Sequence, residues 1–411
     1  MEFPIAGYSL DRVLQIIHEN DRTQREILSQ NQVKDAVLLD LNQNRGFASK
    51  IFRVQIFFED SSVAPVTFVI KIPTTESFKN VLQGKMDSTD TYQESDVQIT
   101  IEDVMKMHNR ECMFYETFNH CEILPKPKIF HIEKSNFEEN TTGIILMEDL
   151  CFWTRSPLIY TSLTENMVLS IVGHLTNFHA YQLENRQVWK NKFEDCVFFQ
   201  TFDAKFSRVM LKKLTSILPG MFEDLIQSLS KTICDNNFTE FAVRGCCQQI
   251  GIPSVVCLGD LWSSNILKPK HYDDNGFSLK DEVRAFIDFQ LCFEGNPAFD
   301  IARLVTLCTD AEGRRSLEEK MFHVYCDALK NSLTSQENDL FTPEKIKLAY
   351  KYAMVHQAVG LALAIPIFYN TLKNVKDQKW ATENIGILVT RAKNALQDAI
   401  VFLQENDSKW L

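Results

Sequence analysis

No unbroken apolar run in this 411-residue chain is long enough to read as a membrane span. The longest, around 359–369, contains Pro366, and a span needs about 20 residues. Basic charge is also short: 43 Lys and Arg stand against 54 Asp and Glu, a net charge of −11. That balance argues against general nucleic-acid binding, which depends on phosphate neutralisation. The first residues, MEFPIAGYSLDR, carry an early acid and no apolar core, so no secretory signal is expected. Eleven cysteines include one adjacent pair, Cys246 and Cys247, and no CxxC. They are read as reduced thiols of a cytoplasmic protein and not as a zinc site. The sequons at Asn140 and Asn237 are then chance matches. Neither GxSxG nor GxxxxGK followed by Ser or Thr occurs, which removes the nucleophile elbow and the P-loop. Ser263 and Ser264 have no accompanying base. No repeat or low-complexity segment is visible.

What remains is an ordinary globular composition, 45% hydrophobic and 24% charged, with length for two or three domains or one two-lobed enzyme. Residues 8–40 read as mostly helical and amphipathic. The alternation over 51–58, a polar turn at 59–62 and a second apolar run over 66–72 predict a hairpin. Residues 74–97 are polar and read as a surface insertion. A helix is expected over 99–118 and a buried strand at 144–147. Beyond about 160 the pattern turns helical. Ser162-x-x-Glu165 and Ser316-x-x-Glu319 read as capping boxes opening two helices. Thr342-Pro343 opens a third, and a fourth runs from about 382 to 404. Two short apolar runs, 254–258 and 283–287, interrupt them, each ending at or just before an aspartate. The expectation is an α+β protein with strands before about 150 and helices after.

The strongest constellation is Leu258-Gly259-Asp260-Leu261-Trp262-Ser263-Ser264-Asn265 followed by Phe286-Ile287-Asp288-Phe289-Gln290. Phosphoryl transfer from ATP needs one carboxylate to orient the acceptor hydroxyl. It also needs an Asn and a second Asp to hold Mg2+ against the phosphates. Asp260 and Asn265, five apart on one loop, and Asp288 at the next strand end supply those types in that order. Singly, each such residue more often serves a turn. Lys71 lies within an apolar strand and is costly to bury unless paired. Glu111 falls on the apolar face of the following helix and fits as its partner. His174, His179 and the Phe-rich stretch 193–206 read as core.

With Gly295-Asn296-Pro297 and Asp300-Ile301-Ala302, these motifs resemble the choline/aminoglycoside-kinase-like superfamily. Within it they resemble the ecdysteroid-kinase-like (CHK kinase-like) group of insects and nematodes. The resemblance implies a two-lobed protein-kinase-like fold. Residues 1–149 would form a small antiparallel-sheet lobe covering ATP. Residues 150–411 would form a larger, mainly helical lobe with the catalytic loop and acceptor site. It implies Asp260 as catalytic base, Asn265 and Asp288 as Mg2+ ligands, and Asp300 as a structural acid. Gly46 and Ser49 would lie in a reduced phosphate-covering turn. Lys71 and Glu111 would form the phosphate-binding pair, and backbone at Glu148 and Leu150 would meet adenine. ATP and Mg2+ are the cofactors implied, and a small hydroxylated molecule the acceptor: a sterol-like alcohol or a glycosylated xenobiotic. One departure stands out, because the histidine preceding Gly-Asp in that group is Leu258 here. It keeps open a catalytically degenerate binding module as the alternative. A protein kinase is disfavoured, since eleven residues between Asp288 and Asp300 leave little room for an activation segment.

Overall fold

The structure is a computed structural model that describes residues 8–41, 48–76, 99–196, 204–234, 236–270, 281–330, 339–373 and 375–411. The chain forms two compact units. One takes in 8–76, Ile99–His120 and Lys126–Trp153, and the other takes in Cys121–Pro125 and Thr154–Leu411.

The first unit opens with α1 (Leu10–Asn20) and α2 (Arg22–Gln30), capped by the side chains of Ser9 and Asp21. Next come the strands β1 (Val33–Asp40), β2 (Ser49–Phe58) and β3 (Val66–Pro73), then α3 (Ile101–Thr117), β4 (Ile129–Glu133) and β5 (Ile144–Glu148). The five strands form one antiparallel sheet in the order β1-β2-β3-β5-β4. The expected hairpin is present, with Phe52 opposite Ile70 and Ile51 opposite Lys71. The expectation of helix through residue 40 is overturned for 33–40, which form the edge strand β1. Its partly exposed pattern lacks the clean alternation that marks a half-buried strand, and pairing with β2 decides its conformation. Phe68, Ile70 and Ile72 of β3 enter a core shared with Val13, Ile16 and Ile17 of α1 and with Leu146. Lys71, one residue out of that alternation, faces the other side of the sheet.

The second unit is mainly helical: α4 (Glu165–Glu184), α5 (Ala204–Ile217), α6 (Phe299–Cys308), α7 (Ala311–Lys330), α8 (Pro343–Leu372) and α9 (Gln378–Asn406), with shorter helices between. Two small antiparallel sheets interrupt them, one of which also takes in Thr154–Arg155, paired with Lys268 and Pro269. β6 (Val255–Cys257) pairs with β9 (Phe293–Gly295), and β7 (Ile266–Pro269) pairs with β8 (Ala285–Phe286). Thr342 and Pro343 start α8 as expected. Two capping expectations fail. α4 is capped by Thr164, and Ser162 instead exchanges hydrogen bonds with Asp310. α7 begins at Ala311, leaving Ser316 inside it, bonded to the Gly313 carbonyl. In both places a tertiary or upstream partner outcompetes a local motif. α8 passes for a membrane-crossing helix by length and composition, but 61% of its most apolar window is buried inside the protein, as in a core helix. Ten cysteines among the described residues are thiols. The observed fold is the expected α+β, protein-kinase-like one: an antiparallel-sheet unit with a lysine on its third strand, and a mainly helical unit.

Candidate active site

In the first unit, α3 is held at its start by a reciprocal capping box between Thr100 and Asp103. Its buried face carries Val104, Met107, His108, Glu111 and Tyr115, at the i, i+3, i+4 spacing expected. That face meets the side of β3 on which Lys71 lies. Lys71 Nζ is 2.5 Å from Glu111 Oε2, and the two side chains are 6% and 1% exposed. Glu111 Oε1 is buried without a hydrogen-bond partner. Lys71 stands on a central strand, opposite Ile51 on one side and Ile145 on the other, so the pair has little room to relax.

Burial of His108 pushes its imidazole down to about 4, so it stays neutral beside this pair. Ser49 is buried at the start of β2, whereas Gly46 lies outside the described residues. Glu148 ends β5; its N–H donates to the Lys128 carbonyl, and its carboxylate accepts from the Lys128 N–H at 3.2 Å. Leu150 is buried. The acid between them, Asp149, has a fully buried side chain paired with Arg53 at 2.9 Å.

In the second unit two buried side chains hold β6 and the loop after it. Gln182 of α4 bonds both backbone groups of Val256, accepting from its N–H and donating to its carbonyl. Asp300, in the first turn of α6 and fully buried, accepts from the Leu258 N–H at 2.7 Å and the Gly259 N–H at 2.9 Å. Gly259 has φ +82°, and a Cβ there would strike the Leu291 carbonyl. The loop therefore needs glycine at this point for both conformation and space. Burial pushes the Asp300 carboxyl up to about 6, against the lowering pull of its two backbone donors. Leu258, at the position of the resemblance's histidine, is buried. Its backbone N–H does the holding, which any residue but proline can supply.

The loop continues into a 3-10 turn, Ser263–Asn265. The Asn265 amide donates to the Asp260 carbonyl at 2.9 Å and to Asp260 Oδ2 at 3.1 Å. The β7–β8 register sets Ile266 opposite Phe286, and the Ile287 N–H donates to the Asn265 carbonyl at 3.1 Å. Asp288, the next residue, is thereby joined to Asn265. It has φ +67°, a left-handed conformation that is costly for a residue with a Cβ and is concentrated at functional sites. Gln290 reaches its carboxylate at 3.5 Å. Of the residues singled out in sequence, Asp260 and Asn265 are hydrogen-bonded to each other, Asp288 follows the residue whose N–H bonds the Asn265 carbonyl, and Asp300 holds the backbone of the loop.

One residue of the site escaped the sequence reading. Arg303, one turn beyond Asp300 on α6, ion-pairs with Asp260 Oδ1. It also donates to Gln357 on α8 at 3.0 Å, and its buried Nε has no partner. Its only sequence signal was helical spacing from Asp300. Trp262 leaves the loop to meet Phe368 of α8 edge-on, ring centroids 6.1 Å apart.

Comparison with known proteins gives several likenesses. The chain is 25% identical over 323 residues to "Uncharacterized oxidoreductase dhs-27" of Caenorhabditis elegans, covering 78% of this chain and 38% of that protein. It thus spans well under half the length of that relative. It is 22% identical over 323 residues to "Uncharacterized kinase-like protein D1044.1" of the same organism, covering 76% of this chain and 77% of that one. Among solved structures it resembles a GDP complex of aminoglycoside 2'-phosphotransferase-IIIa, at TM-score 0.40 and 11% identity over 94% of this chain and 99% of that one. It also resembles a microcompartment-associated aminopropanol kinase, at TM-score 0.44 and 11% identity over 92% and 98%. A family model described as "DUF1679: Uncharacterized oxidoreductase dhs-27" matches residues 9–407, and the chain belongs to that family.

Proposed function

We propose that the protein is an ATP- and Mg2+-dependent phosphotransferase that moves the γ-phosphoryl group onto a hydroxyl of a small molecule. The observation that carries this reading is the hydrogen-bonded pair of Asp260 and Asn265, with Asp288 next to Ile287, whose N–H bonds the Asn265 carbonyl. The donor set suits the ion. Mg2+ takes one or two hard oxygen ligands from protein and the rest from water and phosphate, and Asn265 and Asp288 offer two. No group of three or more His, Cys, Asp or Glu stands ready as a metal cage among the described residues. Asn265 and Asp288 would hold Mg2+, which would supply positive charge to offset that of the phosphate oxygens. Asp260 takes the acceptor's proton as the hydroxyl oxygen attacks the γ-phosphorus in line. The bond from that phosphorus to the bridging oxygen breaks, and ADP leaves with the electron pair.

Lys71, oriented by Glu111, holds the α- and β-phosphates in this reading. Ser49 and the backbone of Glu148 and Leu150 meet the nucleotide, and Gly46 is assigned with them on sequence alone. Residues 1–149 are then the ATP-covering lobe, and 150–411 carry the catalytic loop with the Mg2+ ligands and the acceptor site. The ecdysteroid-kinase-like resemblance is the finer form of this reading. Leu258 favours a second one, a nucleotide-binding module without turnover. The longer relative is named an oxidoreductase; in this chain no two of the 14 glycines are spaced as the GxG of a dinucleotide-binding fingerprint.

The test is a thermal-shift titration with ATP, with and without Mg2+, on wild type and Asp288→Asn. A shift that needs both Mg2+ and Asp288 is expected. Asp260→Asn should keep the shift and lose ADP formation. No wild-type shift at millimolar Mg-ATP would refute the reading.

A further inference from the structure

A cavity of about 160 Å3 opens within the second unit, against α5, α6 and α8. Phe238, Val359, Leu363 and Ile367 give it an apolar wall, and the hydroxyls of Ser207, Thr232 and Thr239 give it a polar margin. Two lining residues, Arg303 and His356, connect it to the proposed chemistry. Arg303 carries Asp260 on one nitrogen and Gln357 on another, which leaves Nε as a buried donor with no acceptor. The Arg303 side chain as a whole is 17% exposed, so its guanidinium can meet a ligand in the cavity. Burial, with the Arg303 charge beside it, pushes His356 down to about 4. No Asp or Glu is among the residues lining the cavity.

We propose that this cavity receives the acceptor, and that the acceptor is a small, uncharged, largely apolar alcohol or phenol with an oxygen bonded to the Arg303 guanidinium, whose side chain is 17% exposed. The wall favours apolar surface. No carboxylate lines the cavity to pair with an ammonium, and burying an unpaired charge is costly, so polyamines and aminosugars are rejected. Size sets a further limit, since a cavity of about 150 Å3 holds a benzene; the buried part of the ligand is about one ring. The role of the ligand as acceptor rests on the phosphotransferase reading, but its binding does not.

The test uses the full chain, with 4-ethylphenol, ethylbenzene and spermidine titrated by calorimetry. Wild type should bind 4-ethylphenol at one site, more tightly than ethylbenzene, and spermidine should give no binding heat. Gly360 lines the cavity on α8, and a Cβ there meets nothing within 4 Å. Gly360→Leu therefore fills the space while raising helix propensity, and an undiminished melting temperature checks its folding. It should weaken 4-ethylphenol by about tenfold or more, a change easily resolved. Arg303→Met should bind 4-ethylphenol and ethylbenzene alike. The proposal is overturned if wild type binds neither ring compound, if Gly360→Leu binds as tightly as wild type, or if spermidine competes. Mg-ATP shifts on the same samples separate the two readings. Phenol binding without a nucleotide shift sinks the phosphotransferase and leaves the cavity's ligand class standing. A normal shift without phenol binding does the reverse.

Discussion

Glu111→Ala would leave the Lys71 ammonium buried with its carboxylate partner removed. Both side chains are nearly inaccessible and meet at 2.5 Å, on a central strand that cannot swing outward without breaking pairings to β2 and β5. Removing one partner of such a buried pair costs about 3–5 kcal/mol, because the remaining charge stays buried without this counter-charge. Replacing both partners by apolar groups of similar shape removes the desolvation cost together with the attraction, and is often neutral or stabilising. Lys71→Met with Glu111→Leu is therefore expected to recover most of that loss. Urea unfolding measures the totals, and amide exchange in β3 and α3 localises them. A single-variant cost below about 1 kcal/mol, or a double variant as weak as the single, would refute the reasoning. The folded double variant also tests function. It should lose most of the Mg-ATP thermal shift, and an undiminished shift would show that Lys71 does not hold phosphate. A pair that an apolar core could replace without loss of stability is better explained by the nucleotide than by the fold.

Asp300→Ala should cost about 2–6 kcal/mol, since it orphans the buried N–H groups of Leu258 and Gly259; a loss under about 1 kcal/mol in urea would contradict the assignment. Gly259→Ala should cost more than about 2 kcal/mol, from its positive φ and the Leu291 carbonyl; an unchanged melting curve would be incompatible with this loop. Burial holds His179 down at about 3 against an unfolded 6.5, so the unfolded chain binds the proton first and stability falls as pH drops below 6.5. His179→Phe should reduce the loss between pH 7 and pH 5 by about 2 kcal/mol, and no change in that difference would count against neutral burial. His108 and His356, both pushed to about 4, act in the same direction. Asp300, raised to about 6, opposes them as pH falls from 6 towards 4.

Residues whose neighbours lie close in the chain were readable in advance. The β2–β3 hairpin follows from alternation and a polar turn, the α8 start from Thr342 and Pro343, and the face of α3 from its spacing. Asp260, Asn265 and Asp288 stood out because the phosphoryl transfer proposed for them needs those types near one another, on a loop and the strand end beyond it. Long-range pairing was not legible. Arg303 meets Asp260 across 43 positions, Arg53 meets Asp149 across 96, and Ser162 leaves its expected cap for Asp310 across 148.

The sequence alone determined the local elements and the kinds of group the site would contain, because period, turn chemistry and caps act over a few residues. Only the tertiary structure decided β1, the partner of Asp260 and the cavity beside it. An edge strand takes its conformation from the strand it pairs with, a buried charge from the counter-charge that packing brings to it, and a cavity from side chains on several helices at once.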